Sequence, residues 1–157
     1  NIERTQTLKI RAYRKDATIL DKESIEKADI VLTDVPCSGL GVIGKKTDIK
    51  YRTDEDKIQE LSVLQKRILH NAASYVKPGG VLIYSTCTIT REENQDNVAW
   101  FTENYPFVLE SLDPYLCEEL HSETTAQGYL QLLPGVHKTD GFFLARLRKK
   151  EETEWNN

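Results

Sequence analysis

The spacing of apolar and polar residues changes several times along the 157-residue chain. Leu8–Tyr13 alternates apolar with basic residues, a period of two that predicts a strand. Asp16-Ala17 follows it, and Ser24–Lys27 suits a short helix. Ile30-Val31-Leu32 is a compact apolar run, the pattern of a strand buried on both faces. Pro36 soon ends it, because proline cannot donate to a central ladder. The clearest helix runs from about Asp54 to Val76: Ile58, Leu61, Leu64, Ile68, Leu69, Ala72 and Val76 form one stripe at spacings of three and four. Thr53 is placed to cap it, and Asp54, Glu55 and Asp56 suit the positive end of its dipole. Pro78-Gly79-Gly80 stops it. Val81–Tyr84 is a second buried strand, leading into Ser85-Thr86-Cys87. Thr90 and Glu93 match a capping box for a helix through about Asn104. Pro106–Leu109, Tyr129–Leu133 and Phe142–Leu147 predict three late strands, with 111–127 an irregular loop. Strand–helix alternation followed by short strands predicts one α/β domain whose sheet has an antiparallel edge.

With 39% hydrophobic and 29% charged residues, the chain can form an ordinary globular core. No run approaches the ~18 apolar residues of a membrane span, and no basic-then-apolar leader is visible, so a cytoplasmic protein is expected. The 21 Lys+Arg against 25 Asp+Glu give a net charge of −4, so bulk charge does not drive nucleic-acid binding, although a local basic patch can. Cys37, Cys87 and Cys117 are too few and too scattered for a disulfide framework and are expected as free thiols. Without a CxxC pair or a Cys/His cluster at zinc spacing, no metal is expected, and His70, His121 and His137 read as ordinary histidines. The chain starts Asn1-Ile2-Glu3 and contains no Met, which fits a piece of something longer.

The loop after Ile30–Thr33 contains Gly39-x-Gly41-x-x-Gly44 and most of a Walker A motif, Gly39-x4-Gly44-Lys45. Either cradles phosphate only where the loop opens directly into a helix. Here the next helical pattern starts about ten residues later, and Lys46 stands where Walker A needs Ser or Thr. A substrate-facing loop is the better expectation, and ATP-dependent protection from heat would revive the phosphate site. Asp34-Val35-Pro36-Cys37 and Ser85-Thr86-Cys87 each end a buried strand, where open α/β sheets bind ligands. If the strands are neighbours, two thiols and a carboxylate share one crevice; otherwise both cysteines are small buried apolar side chains.

Asp34-Val35-Pro36-Cys37-Ser38-Gly39 and Ser85-Thr86-Cys87-Thr88, some 50 residues apart, resemble the two cysteine motifs of RNA cytosine-5 methyltransferases. Thr47-Asp48-Ile49-Lys50-Tyr51, Arg91-Glu92-Glu93-Asn94 and Asp140-Gly141-Phe142-Phe143-Leu144-Ala145 match in the same order. Together they are most similar to the bacterial small-subunit ribosomal RNA methyltransferase B (Sun/Fmu) group, over roughly Ala12 to Lys149. The resemblance implies a Rossmann-like, S-adenosylmethionine-dependent sheet, mostly parallel with an antiparallel C-terminal edge. It implies methylation of carbon 5 of a cytosine in RNA, flipped out or already unpaired because a stacked base cannot reach such a crevice. Two thiols are required because carbon 5 is a poor nucleophile until a thiolate adds to carbon 6. Cys87 is implied as that nucleophile and Cys37 as the group for product release. Asp34 is implied to hold the cytosine edge and border the cofactor, and Asp16 to meet its adenine end, although Asp16 also reads as a simple turn residue. Lys45, Lys46, Lys50 and Arg52 form a basic run suited to RNA phosphates, or a merely solvated surface run. Thr47 replaces the proline common before Asp-Ile-Lys.

The resemblance also implies a Gly-rich cofactor loop and an acidic ribose ligand on two strands that this sequence lacks. On the implied order 3-2-1-4-5-7-6, the chain supplies strands 3, 4, 5, 6 and 7, leaving strand 3 without its neighbour and strand 4 with a bare edge. The expectation is therefore a partial catalytic domain over 1–149 with a polar tail at 150–157, inactive alone. The competing class is a catalytically inactive RNA-binding methyltransferase-like module, which should have lost a catalytic cysteine.

Overall fold

A computed structural model describes residues 9–45 and 54–151. Its elements are β1 (Ala28–Asp34), α1 (Glu55–Tyr75), β2 (Val76–Thr86), α2 (Gln95–Asn104), β3 (Phe107–Leu109), α3 (Glu123–Gln127), β4 (Tyr129–Leu132) and β5 (Phe142–Lys149). β1 lies parallel to β2, and β5 runs antiparallel to β2 on one side and to β3 and β4 on the other. Thus β1 to β4 point the same way and β5 alone is reversed. The sheet order β1-β2-β5-β3 is the 4-5-7-6 part of the expected order.

The core forms where α1 and α2 cover one face of this sheet. Leu69, Ala72 and Val76 of the predicted stripe meet Leu82 and Tyr84 of β2, with Phe101 and Phe107 closing the far side. On β5, Phe143, Ala145 and Leu147 are buried while Arg146 and Arg148 take the other face and grip Glu110. That is the two-residue period of a strand with unlike surroundings on its two faces.

Several expectations need correction. Lys9–Tyr13 forms no strand, and Leu8 lies outside the described residues; a strand needs a paired neighbour, and none adjoins this segment among the described residues. Lys22–Ser24 is a short 3-10 turn rather than a helix at Ser24–Lys27, because Glu26 has φ 51°, which a right-handed helix cannot use. β1 is not buried on both faces: Ile30 and Leu32 are 65% and 66% exposed. Only the face carrying Val31 and Thr33 turns toward α1 and the core, and no described strand covers its other edge. Asp54, not Thr53, caps α1 by accepting from the Lys57 N–H, and Thr53 lies outside the described residues. Pro78-Gly79-Gly80 sits inside β2 as a bulge: β1 advances from Ala28 to Ile30 while β2 advances from Val76 to Val81. Gly79 supplies the positive φ of 71° that this excursion needs. Finally, 111–127 is not structureless, since it holds two 3-10 turns and the capped helix α3.

Candidate active site

Parallel pairing of Asp34 with Ser85 brings the ends of β1 and β2 to one level. The loops that follow carry Cys37 and Cys87, whose sulfurs lie 3.2 Å apart. The Cys87 backbone N–H also points at the Cys37 sulfur, at 3.3 Å. Asp34 is exposed at the same sheet end and accepts from the Ser85 hydroxyl at 3.2 Å. The three residues singled out for chemistry are therefore brought together.

Two like groups this close do not both ionise readily. Burial pushes the Cys37 thiol up to about 12, and the adjacent Cys87 sulfur adds to the shift. Burial therefore favours the protonated form of Cys37. A raised value has a consequence for stability. Below the ordinary thiol value of 9.0 both folded and unfolded chains keep the proton. Between 9.0 and about 12 the unfolded chain releases it first, so stability falls as pH rises through that window. Burial pushes Tyr84 in the same direction. Unfolding wild type and Cys37→Ala with denaturant at about pH 8 and about pH 10.5 isolates the thiol; wild type should lose about 1 kcal/mol more, after allowance for partial exposure.

The glycine loop has a packing role at its centre. Gly39 has φ 72° and opens the 3-10 turn Leu40–Val42, not an α-helix, so a phosphate-cradling geometry is not built. The Gly41 N–H donates to the Cys87 carbonyl at 3.1 Å, and the Gly41 carbonyl accepts from the Gly141 N–H at 2.8 Å. A methyl group at Gly41 would overlap the Gly141 carbonyl oxygen and approach the Cys87 carbonyl oxygen to 2.8 Å. The first glycine loop, the second cysteine and the Asp140-Gly141 segment are thus fastened backbone to backbone.

The other expected residues are less close. Asp16 is exposed, and its carboxylate accepts from the Thr18 N–H and hydroxyl, which fits the turn role. Asn71 on α1 holds that turn through the Ala17 carbonyl. Ala17 nonetheless lines, with Leu32, Asp34, Val35 and Pro36, an open pocket of about 320 Å³. Lys45 is exposed and forms an ion pair with Asp140 at 2.6 Å, while Lys46, Lys50 and Arg52 lie outside the described residues.

Beneath the thiols lies a buried polar layer that no sequence motif announced. Gln65, Glu93, Asn94 and Asn97 are all 0% exposed. Gln65 donates to the Pro36 carbonyl and to Glu93, and accepts from Asn97. Asn94 accepts from the Thr86 hydroxyl and donates to the Thr88 carbonyl, bracketing Cys87. Glu93 is no helix cap: α2 begins at Gln95, and the Glu93 carboxylate turns inward. A signal existed for Gln65, which stands four residues from both Leu61 and Leu69, a polar residue on the apolar stripe.

The chain and its fold have counterparts among known proteins. The family model described as 16S rRNA methyltransferase RsmB/F matches residues 1–148. The chain belongs to this family. It is 35% identical over 155 residues to ribosomal RNA small subunit methyltransferase F of Cronobacter sakazakii, covering 98% of this chain and 32% of that protein. The protein of the same name from Escherichia coli is 34% identical over 152 residues, covering 96% and 32%. The chain thus spans about a third of the length of the curated relatives it matches. The crystal structure of PH0851 superimposes with a TM-score of 0.84 at 39% identity, over 94% of this chain and 33% of that one. NSun6 from Pyrococcus horikoshii, solved with SFG, gives a TM-score of 0.75 at 26% identity, over 96% and 37%. The sheet is accordingly part of a Rossmann-like methyltransferase sheet, and S-adenosylmethionine is the cofactor that family membership and the SFG-bound neighbour support. The described residues fit one wall of such a site: apolar Leu32, Val35 and Pro36 with the single carboxylate of Asp34.

Proposed function

We propose that the protein containing this chain methylates carbon 5 of a cytosine in small-subunit ribosomal RNA through a covalent cysteine adduct. The observation that carries this is the 3.2 Å approach of Cys37 and Cys87 at the ends of two parallel strands, in a chain of the RsmB/F family. Bound S-adenosylmethionine supplies an electrophilic methyl group on a sulfonium. The cofactor wall would be formed by Asp34, Val35 and Pro36, with the Asp16-Ala17 turn beside it.

Cys87 is the nucleophile, the role that its Ser85-Thr86-Cys87-Thr88 motif implies, and it stands at the end of β2 beside Cys37. Its sulfur bonds to carbon 6 of the cytosine, and the displaced electron pair makes carbon 5 nucleophilic. Asp34 protonates or steadies the nitrogen 3 edge. After carbon 5 has gained the methyl group, its proton must leave. Bonding of Cys87 to carbon removes the smaller, sulfur-derived part of the Cys37 shift while the larger part, from burial, remains, so Cys37 must first give its proton to water before it can act as base. As a thiolate it takes the carbon 5 proton; the carbon 5–carbon 6 double bond re-forms and the electrons of the carbon–sulfur bond return to Cys87. Lys45, Lys46, Lys50 and Arg52 steer the RNA backbone toward this crevice, and the target cytosine is unpaired or flipped out.

Residues 1–149 act as the distal part of the catalytic domain. Ile30 and Leu32 leave β1 open on one face, and the described cofactor wall is one-sided. Methyl transfer to small-subunit ribosomal RNA, read by mass spectrometry of nuclease fragments, should therefore yield 5-methylcytosine with the full-length protein and none with residues 1–157 alone. A methyl group on any other atom, or full activity from residues 1–157, would contradict the proposal.

A further inference from the structure

The two thiols stand on separate excursions of the chain, and their separation has to be set by something other than the strand ladder, which ends at Asp34 and Thr86. Glu93 is the residue where the excursions meet. Its Oε1 accepts from the Ser38 backbone N–H at 2.9 Å and from Gln65 Nε2 at 2.8 Å. Its Oε2 accepts from the Ser38 hydroxyl at 2.5 Å and from the Thr90 hydroxyl at 2.9 Å. All four partners are neutral donors, and the side chain is fully buried. A buried carboxylate without donors is strongly disfavoured, so Glu93 stays turned toward Ser38 and Gln65.

The consequence for the thiols is direct. Gln65 also donates to the Pro36 carbonyl at 2.9 Å, so the residues on either side of Cys37 are tied to one Glu93–Gln65 pair. Because the Ser38 hydroxyl gives its proton to Glu93, the Thr88 hydroxyl donates to Ser38 Oγ at 2.7 Å. The residues immediately following the two cysteines are thereby bonded to each other. Glu93 touches neither sulfur.

We propose that Glu93, acting through Ser38, is a positioning residue that sets Cys37 against Cys87 and so governs release of the methylated base rather than its capture. This rests on the covalent reading above. A misplaced Cys37 slows elimination while leaving attack by Cys87 intact, so the enzyme should stall as the covalent adduct.

The test uses the full-length protein with its RNA and measures the adduct fraction at steady state, kcat, KM and Tm. Cys37→Ala is the reference for a blocked release. Glu93→Gln puts a donor amide against existing donors, and is expected to lower kcat about 100-fold with KM within about threefold, while adduct accumulates. Ser38→Ala removes only the hydroxyl link, keeps the backbone one, and should fold even if Glu93→Gln does not; about a tenfold loss of kcat with accumulated adduct is expected. Thr90→Val removes a donor to the same carboxylate without loosening Ser38, and should leave kcat within about twofold of wild type. Wild-type turnover in Ser38→Ala would overturn the proposal, as would equal losses in all three variants without adduct. Absence of adduct in Cys37→Ala would instead overturn the covalent reading, and with it the role given to Glu93.

Discussion

Cys87→Ala is expected to lower the rate of methyl transfer by at least ~10³-fold, because the proposed mechanism assigns attack on carbon 6 to its thiol and the uncatalysed addition is slow. The loss should fall on kcat, with RNA affinity little changed, since phosphate contacts carry most binding to RNA. Cys87 is half-buried at a loop; alanine removes its sulfur contact with Cys37 but retains the backbone N–H and carbonyl that hold the loop. Tm should therefore stay near that of wild type. Cys37→Ala should also stop turnover, by a different route: the first methyl group is transferred and the product is not released. Rapid-quench measurement of methyl transfer separates the two. Cys37→Ala should give a burst of about one methyl group per enzyme, and Cys87→Ala should give none.

Gly41→Ala carries the second large effect, on stability. The added methyl group meets backbone atoms, the Gly141 carbonyl and the Cys87 carbonyl, rather than the yielding end of a side chain. The sheet fixes Gly141 next to Phe142 at the start of β5, and Cys87 directly follows β2, so neither can move freely. A loss of about 3 kcal/mol or more is expected. Gly44→Ala in the same loop meets nothing within 4 Å and should stay within about 0.5 kcal/mol of wild type. Denaturant unfolding of the two variants checks the contrast. Equal stability would mean that the Gly41 backbone approach is not a fixed feature of the loop.

Local patterns made much of this molecule legible. The stripe through Leu61, Leu64, Ile68 and Leu69 gave α1, and the period of two in Phe142–Leu147 gave β5, because each depends on one element meeting one core. Position alone leaves the thiol pair conditional on β1 and β2 being neighbours, and it is the resemblance of the two cysteine motifs that points to a shared crevice. Features that depend on distant partners were not legible. Thr90-x-x-Glu93 has the local form of a cap, but its carboxylate answers to Ser38, fifty-five residues earlier. Gln65 does not stand out while the stripe is read from its apolar members alone, although that face also meets polar groups of the loop at Pro36 and of Glu93. The run Ile30–Leu32 reports a strand suited to burial on both faces, but cannot report which layers are present to cover it. Pro78-Gly79-Gly80 is a helix terminator by composition and also a bulge, because the next strand starts directly at Val76.

Covalent trapping on RNA containing 5-azacytidine, with the cross-linked peptide identified by mass spectrometry, tests the central claim most directly. A nitrogen at position 5 carries no proton to remove after methylation, so the thiol that adds to carbon 6 remains attached. One stoichiometric adduct is expected, on the peptide containing Cys87, retained in Cys37→Ala and lost in Cys87→Ala. An adduct on Cys37, or equal trapping by Cys87→Ala, would contradict it.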